Sequence, residues 1–149
     1  MNGLSKGKKM KEIQFQKLQQ EALLPTRAHE GDAGLDLYCV EDVSLEPGEG
    51  KIARTGVACA IEPGFYGQIA DRSSLGKKGL KTAGGVIDAS YRGEIGVILW
   101  NISSQPFLLK KGERLAQLII LPIATPRPVE VKELSTTLRG EGGFGSTGR

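Results

Sequence analysis

The distribution of glycine and proline most limits what this chain can become. Its 149 residues include 21 glycines and 7 prolines, a glycine share about twice the average. The glycines are not gathered into one low-complexity tract. They punctuate apolar segments, as in "VSLEPGEGKIARTGVACAIEPGFYGQIADRSSLG", where Pro-Gly and Gly turns separate short apolar pieces. No long segment keeps the i, i+3, i+4, i+7 spacing of an amphipathic helix, and proline or glycine interrupts most candidates. The reading is all-β, with many short strands in a jelly-roll or barrel-like arrangement.

Individual strands follow from the local pattern. "KEIQFQKL" alternates, setting Ile13 and Phe15 against Gln14 and Gln16, and predicts a half-buried strand. "LPTRAHEGDAG" reads as a loop and "LDLYCV" as a short strand. "EIGVILWNIS" is apolar on both faces and predicts a strand buried on both sides, and "KKGERLAQLIILPIA" predicts a polar turn followed by another buried strand. From Leu134 the chain loses apolar periodicity and reads as a mobile arm. The expected organisation is a basic extension over residues 1–11, a β domain over 12–133 and an arm over 134–149. A composition 39% hydrophobic and 25% charged suffices for one such core.

Charge is a weak signal. The formal net charge is +3, and "MNGLSKGKKMK" at the start holds four lysines and no acid. It reads as a solvated, disordered start, or an upstream start ahead of Met10, in preference to a nucleic-acid arm. Without it the chain is nearly neutral, so no general polyanion-binding surface is expected, and neither nucleic acid nor membrane is an expected partner. Cys39 and Cys59 have neither metal-ligand spacing nor a disulfide framework and read as buried thiols. No signal peptide is visible, nor an apolar run of about 18 residues, which makes the cytoplasm the simplest compartment.

Three short stretches carry chemistry. "GGVIDASYRG" (84–93) sets one carboxylate, Asp88, among glycines and small or apolar residues, a costly position unless something satisfies it. "DRSSLG" (71–76) gathers Arg72, Ser73 and Ser74, a compact cluster of phosphate-type donors that on these residues alone reads as a polar turn. "GGFGSTG" offers unobstructed backbone N–H groups and two hydroxyls of the kind that cradle phosphate oxygens. Residues 143–149 imitate part of a Walker A loop, but arginine stands where lysine belongs and the sequence stops where the helix should begin, so a Walker NTPase is rejected. Phe144 and Arg139 add an aromatic face for a base and a guanidinium for a phosphate. The single histidine, His29, lies in a loop, and no Ser or Cys stands in a nucleophile pattern, which excludes a His-centred triad.

Five stretches occur in a fixed order: "AGLDL" (33–37), "RSSL" (72–75), "GGVIDASYRG" (84–93), "GERLAQL" (112–118) and "RGEGGFGSTG" (139–148). On these the chain, from about Glu12 onward, resembles the homotrimeric deoxyuridine triphosphate nucleotidohydrolases, the dUTPases. The resemblance implies a jelly-roll-like trimer that exchanges its C-terminal arm between subunits. It implies hydrolysis of dUTP to dUMP and pyrophosphate, which limits uracil incorporation into DNA and supplies dUMP for thymidylate synthesis. By resemblance Asp88 orients and deprotonates the water that attacks the α-phosphorus. Tyr91 packs on the deoxyribose and excludes a ribose 2′-hydroxyl, although a core tyrosine is the plainer reading without the motif. The backbone around Gly85, Val86, Ile87 and Gly96 resembles the uracil pocket. Arg72, Ser73 and Ser74 match phosphate contacts. Arg139, Gly145, Ser146 and Thr147 match the arm that closes over the triphosphate, and Phe144 the aromatic that stacks on uracil. Gln117 matches a phosphate or water contact, against an equal reading as a polar residue satisfied within its strand. Mg²⁺ is implied, held mainly by the nucleotide's phosphates, with Asp36 near it through water or, with equal weight, tying down its own loop.

Two positions depart from the family pattern. Ser90 stands where many relatives carry a second aspartate, and Asp71 where proline or a small residue is common. Asp71 adds negative charge near the phosphates unless it pairs with Arg72 or a lysine such as Lys77. Two alternatives compete with the hydrolase. The dCTP deaminases share stretches like "RSSLGKKGL" and "TAGGVID", but their catalytic glutamate falls ten residues after the aspartate, where this chain has Ile98. A catalytically weak nucleotide-binding module is the other.

Overall fold

A computed structural model describes residues 9–143. The turn-rich pattern becomes eleven strands and one helical turn. They are β1 (Gln14–Lys17), β2 (Gly34–Tyr38), β3 (Val43–Leu45), β4 (Gly50–Arg54), β5 (Val57–Ala60), β6 (Phe65–Ala70), α1 (Ser73–Gly76), β7 (Leu80–Ala83), β8 (Val86–Ile87), β9 (Gly96–Asn101), β10 (Phe107–Leu109) and β11 (Arg114–Pro122). Every pairing is antiparallel. A four-stranded sheet runs β2-β11-β6-β8, a three-stranded sheet β4-β9-β7, and two ribbons pair β1 with β5 and β3 with β10. The chain crosses between the two larger sheets at residues 71–79, returns to β8 and crosses again into β9. This is the expected all-β, jelly-roll-like architecture.

Alternation decides what is buried. Leu35 and Leu37 of β2 face the core while Asp36 and Tyr38 face out, and Leu115, Ala116 and Leu118 of β11 pack beside them. Phe15 of β1 packs on the core from its ribbon, opposite Cys59. Both cysteines are buried and unpaired, as expected. Burial pushes both thiols above their ordinary pKa, which disfavours the reactive thiolate.

One expectation needs correction. β9 is not buried on both faces. Val97, Leu99 and Asn101 point inward, while Ile98 and Trp100 on the other face are 37% and 45% exposed. Ile52, paired with Ile98 across β4, is 68% exposed. The apolar run is continuous because both faces carry apolar side chains, but within one chain only one face is covered. Asn101, at the inner end, is fully buried and fully bonded. Its Nδ2 donates to the carbonyls of Leu45 (3.0 Å) and Gln105 (2.8 Å), and its Oδ1 accepts from Ser103 N and Oγ.

After β11, residues 123–143 form no strand, and Val129, Val131, Leu134 and Leu138 are exposed. Among the described residues no helix is long and apolar enough to cross a membrane.

Candidate active site

Three neighbouring strands build one face of a pocket. Asp36 of β2 pairs in register with Gln117 of β11, and Gln117 pairs on its other side with Ala70 at the end of β6, two residues before Arg72. Outward alternation brings the side chains of Asp36 and Gln117 together. The loop before β2 is tied down by the backbone exchange between Thr26 and Asp36 and contributes Ala28 and Asp32. The result is an open pocket of about 450 Å³ lined by Asp36, Arg72, Ser73, Ser74, Arg114 and Gln117, with Ala28, Asp32, Ala33 and Gly34 at its margin.

Its lining sets two guanidiniums, Arg72 and Arg114, against the carboxylates of Asp36 and Asp32. The Asp36 carboxylate lies between two guanidinium groups, 3.5 Å from Arg72 Nε and 3.5 Å from Arg114 Nη1. At that separation each arginine keeps N–H donors free for a second partner, since a guanidinium carries five. Ser73 and Ser74 open α1, are exposed, and give no side-chain cap to the turn, so their hydroxyls stay available at the pocket wall. "RSSL" therefore forms a helical turn whose hydroxyls are not spent on its own backbone.

Arg114 was not singled out from sequence. The β2–β11 register slips between Arg114 and Ala116, a bulge that leaves Leu115 and Ala116 both buried and turns Arg114 toward Asp36. Strict alternation would not have put two successive inward side chains there. Gly34 was also missed. A Cβ on Gly34 would lie 2.0 Å from Gln117 Oε1 and 2.9 Å from Gln117 Cβ, so the Gln117 amide crosses the space that only glycine leaves. Gln117 Nε2 donates to the Asp71 carbonyl at 2.8 Å. The residue lines the pocket and is bonded within the fold.

Asp71 does not pair with Arg72 or Lys77. Its carboxylate is bonded by Lys81 Nζ and, at 2.7 Å each, by Thr82 N and Oγ1. Partial burial raises its pKa, but these three bonds outweigh that and hold the carboxyl below its ordinary range. The charge that looked adverse beside a phosphate is therefore compensated from β7.

The second group of expected residues lies elsewhere. Gly84 and Gly85 turn the chain from β7 to β8 with φ of 62° and 88°. A side chain at Gly85 would also crowd the Ile69 carbonyl at 3.0 Å. Val86 is exposed and Ile87 buried where β8 pairs with β6. Asp88 follows in a turn closed by Tyr91 N donating to the Asp88 carbonyl, and Arg92 Nη1 braces the turn through the carbonyls of Ala89 and Tyr91. The Tyr91 ring lies over Gly93, where a Cβ would come 2.5 Å from its Oη, and that hydroxyl donates to the Glu94 carbonyl. Tyr91 is therefore not a core tyrosine. Gly96 faces Ile52 on the uncovered side of β9. Asp88 itself is exposed, not enclosed by its apolar neighbours as expected, and among the described residues its carboxylate has no partner. None of Gly85, Val86, Ile87, Asp88, Tyr91 and Gly96 lines the arginine pocket.

Arg139 is exposed, with its Nε bonded to the Gly142 carbonyl in a local turn. Phe144, Gly145, Ser146 and Thr147 lie outside the described residues. Among the described residues no three His, Cys, Asp or Glu side chains come together as a metal cage.

Comparison with known proteins agrees with this architecture. A family model described as dUTPase matches residues 20–148. The deoxyuridine 5'-triphosphate nucleotidohydrolase of Clostridium kluyveri is 46% identical over 92% of this chain and 98% of its own length. That of Nautilia profundicola is 48% identical over 92% and 99%. Among solved structures, the Staphylococcus bacteriophage 80alpha dUTPase with dUPNHPP superposes with a TM-score of 0.89 at 34% identity, covering 94% of this chain and 100% of that one. A phage phi11 dUTPase variant, described as coordinating a structural Mg(II) ion, gives a TM-score of 0.79 at 30% identity, over 84% and 99%.

Proposed function

The chain belongs to the dUTPase family, a dUTP diphosphatase by that membership, and from this premise we propose how its residues divide the hydrolysis of dUTP. Arg72, Arg114, Ser73 and Ser74 bind the triphosphate at the open pocket. The observation that carries this is the pair of guanidiniums flanking a single carboxylate with two unspent hydroxyls beside them. Asp88 accepts a proton from water as the water oxygen bonds to the α-phosphorus. The bond from that phosphorus to the α,β-bridging oxygen breaks, and pyrophosphate leaves with the electron pair. The braced turn, with the Asp88 carboxylate unpaired among the described residues, supports the role, because a base must be free to take the proton.

The uracil and deoxyribose fall to the glycine-rich turn and to Tyr91, whose hydroxyl is tethered to the Glu94 carbonyl. The backbone at Gly84 and Gly85, cleared of side chains, suits main-chain recognition of a planar base. Mg²⁺, when bound, clamps the triphosphate and neutralises its charge. The donor set fits an ion carried on the nucleotide, since among the described residues Asp36 and Asp32 are the only carboxylates at the pocket. Asp36 is engaged with two arginines, which suits a contact through water.

We propose a homotrimer with sites assembled between subunits. Two observations support it. The phosphate pocket and the Asp88–Tyr91 turn are separate within one chain. The outer face of β4 and β9 leaves Ile52, Ile98 and Trp100 uncovered. Residues 134–149 then act as an arm, in which Arg139, Phe144, Gly145, Ser146 and Thr147 close over bound nucleotide and exclude water.

The test is a product assay with Mg²⁺ and, separately, dUTP, dCTP, dTTP and UTP, beside Asp88→Asn. We expect dUMP and pyrophosphate from dUTP alone, with turnover in the variant lowered by about a thousandfold or more and nucleotide still bound. Deamination of dCTP would overturn the reading in favour of the deaminase branch. Tight dUTP binding without turnover in the wild type would favour the binding module.

A further inference from the structure

Asp71 is held at both of its ends, and the segment it anchors is the one that faces phosphate. Its carboxylate takes Lys81 Nζ, Thr82 N and Thr82 Oγ1 from β7, in the three-stranded sheet. Its carbonyl takes Gln117 Nε2 from β11, in the four-stranded sheet. Residue 71 therefore joins the two sheets at the crossover, immediately before Arg72, Ser73 and Ser74. Arg72 has few other constraints. It is partly exposed, and among the described residues its guanidinium meets Asp36 and the Arg114 carbonyl, each at 3.5 Å. The helical turn behind it is four residues long, with no side-chain cap. So short a turn does not hold itself, and its direction depends on the residue before it.

We propose that Asp71 is a positioning residue for triphosphate binding, a two-ended latch from Lys81 and Thr82 through its carboxylate and from Gln117 through its carbonyl that aims Arg72 and the two serines into the pocket. The proposal rests on the reading of that pocket as the phosphate site. Lys81 is consumed by this role and is not a phosphate contact. The depressed pKa of the Asp71 carboxyl accords with a group bonded in its charged form.

The experiment measures affinity for an imido analogue of dUTP and for deoxyuridine in wild type, Asp71→Ala, Asp71→Asn, Lys81→Met, Arg72→Ala and Asp71→Ala/Arg72→Ala. Turnover of dUTP and thermal stability are measured on each. We expect Asp71→Ala to weaken the analogue on the order of tenfold and leave deoxyuridine unchanged. Lys81→Met should show a smaller loss of the same kind. Asp71→Asn keeps an acceptor for Thr82 and should fall between wild type and the alanine variant. In the double variant the Asp71 change should add clearly less than it costs alone, because part of its effect runs through Arg72. Equal losses for analogue and deoxyuridine, no loss for either, or full additivity with Arg72→Ala would each overturn the latch. If Asp71→Ala fails to fold, the Asp71→Asn and Lys81→Met ratios decide the same question. The latch is read from the ratio of two affinities and not from turnover. A wild type that binds the analogue but does not hydrolyse dUTP therefore refutes the hydrolase reading alone, and one that binds no triphosphate refutes both.

Discussion

One methyl group at Gly34 tests whether the pocket is built as described. Gly34 does not adopt positive φ, so alanine accepts its backbone without strain. The obstacle is Gln117. The new Cβ would meet Oε1 at 2.0 Å and the Gln117 Cβ at 2.9 Å. Swinging the amide away clears the first contact and breaks the bond to the Asp71 carbonyl, at about 0.5–1.5 kcal/mol. The second contact lies at the root of the side chain and requires β2 and β11 to part, an overpacking cost of about 1–3 kcal/mol. Against this, replacing glycine by alanine restricts the unfolded chain and returns about 0.4–1 kcal/mol. The net is a destabilisation of about 2 kcal/mol. Because Gln117, Asp36 and Arg72 share that face, kcat/KM for dUTP should fall by roughly tenfold as well. Urea unfolding and steady-state kinetics read the two effects. The control is the same change in a Gln117→Ala background, where the amide is gone and only the Cβ contact remains, so Gly34→Ala should cost less by about 0.5–1.5 kcal/mol, the share of the lost bond. An equal cost in both backgrounds, or no cost in the wild type, would refute the argument that the Gln117 amide is what requires glycine at 34.

Three further outcomes follow from the same geometry. Asn101→Ala strips partners from Ser103 N and from the carbonyls of Leu45 and Gln105 in a buried site, and should cost about 3 kcal/mol in urea unfolding. Trp100→Glu puts a charge on the uncovered face of β9, and light scattering should find monomers in place of trimers, with dUTP turnover lost alongside. The depressed Asp71 pKa means its bonds stabilise the fold above the ordinary carboxyl pKa, and that contribution is lost as pH falls through the lower folded value. The stability gap between wild type and Asp71→Asn should therefore be full at about pH 6 and shrink below about pH 4.

What the sequence disclosed depended on how local the cause was. The strands at "QFQK" and "GLDLY" follow from alternation and from the turns that bound them, both visible in adjacent residues. The exposed side of "GVILWN" did not, because an apolar residue on an uncovered face and one facing the core carry the same letter. Asp88 was conspicuous as a lone carboxylate among glycines, yet its exposure depends on where β8 ends, which no local pattern gives. Arg114 and Gly34 were illegible for a related reason. One is aimed by a bulge set by the pairing of β11 with β2, the other is required by an amide more than eighty positions away in the chain. Asp71 read as a liability because its compensation comes from Lys81 and Thr82, across a crossover that brings β7 beside it.

The separation of the two half-sites bears on why the uncovered face exists at all. An apolar patch of Ile52, Ile98 and Trp100 on a free chain promotes aggregation and is tolerable where a partner covers it. A carboxylate on a solvent-facing turn is a weak base, because bulk water stabilises its charged form and competes for the same hydrogen bonds. Both defects are cured by one event if association of subunits covers β9 and sets the Asp88 turn of one copy near the arginine pocket of another. On that argument burial of the face and completion of the site are linked, and a variant that dissociates the oligomer without touching any site residue should lose activity in proportion to the monomer formed. Titrating Trp100→Glu with wild-type subunits separates the alternatives. Activity that tracks the fraction of intact trimers supports the linkage, and activity that tracks total wild-type chain would show that each chain works alone.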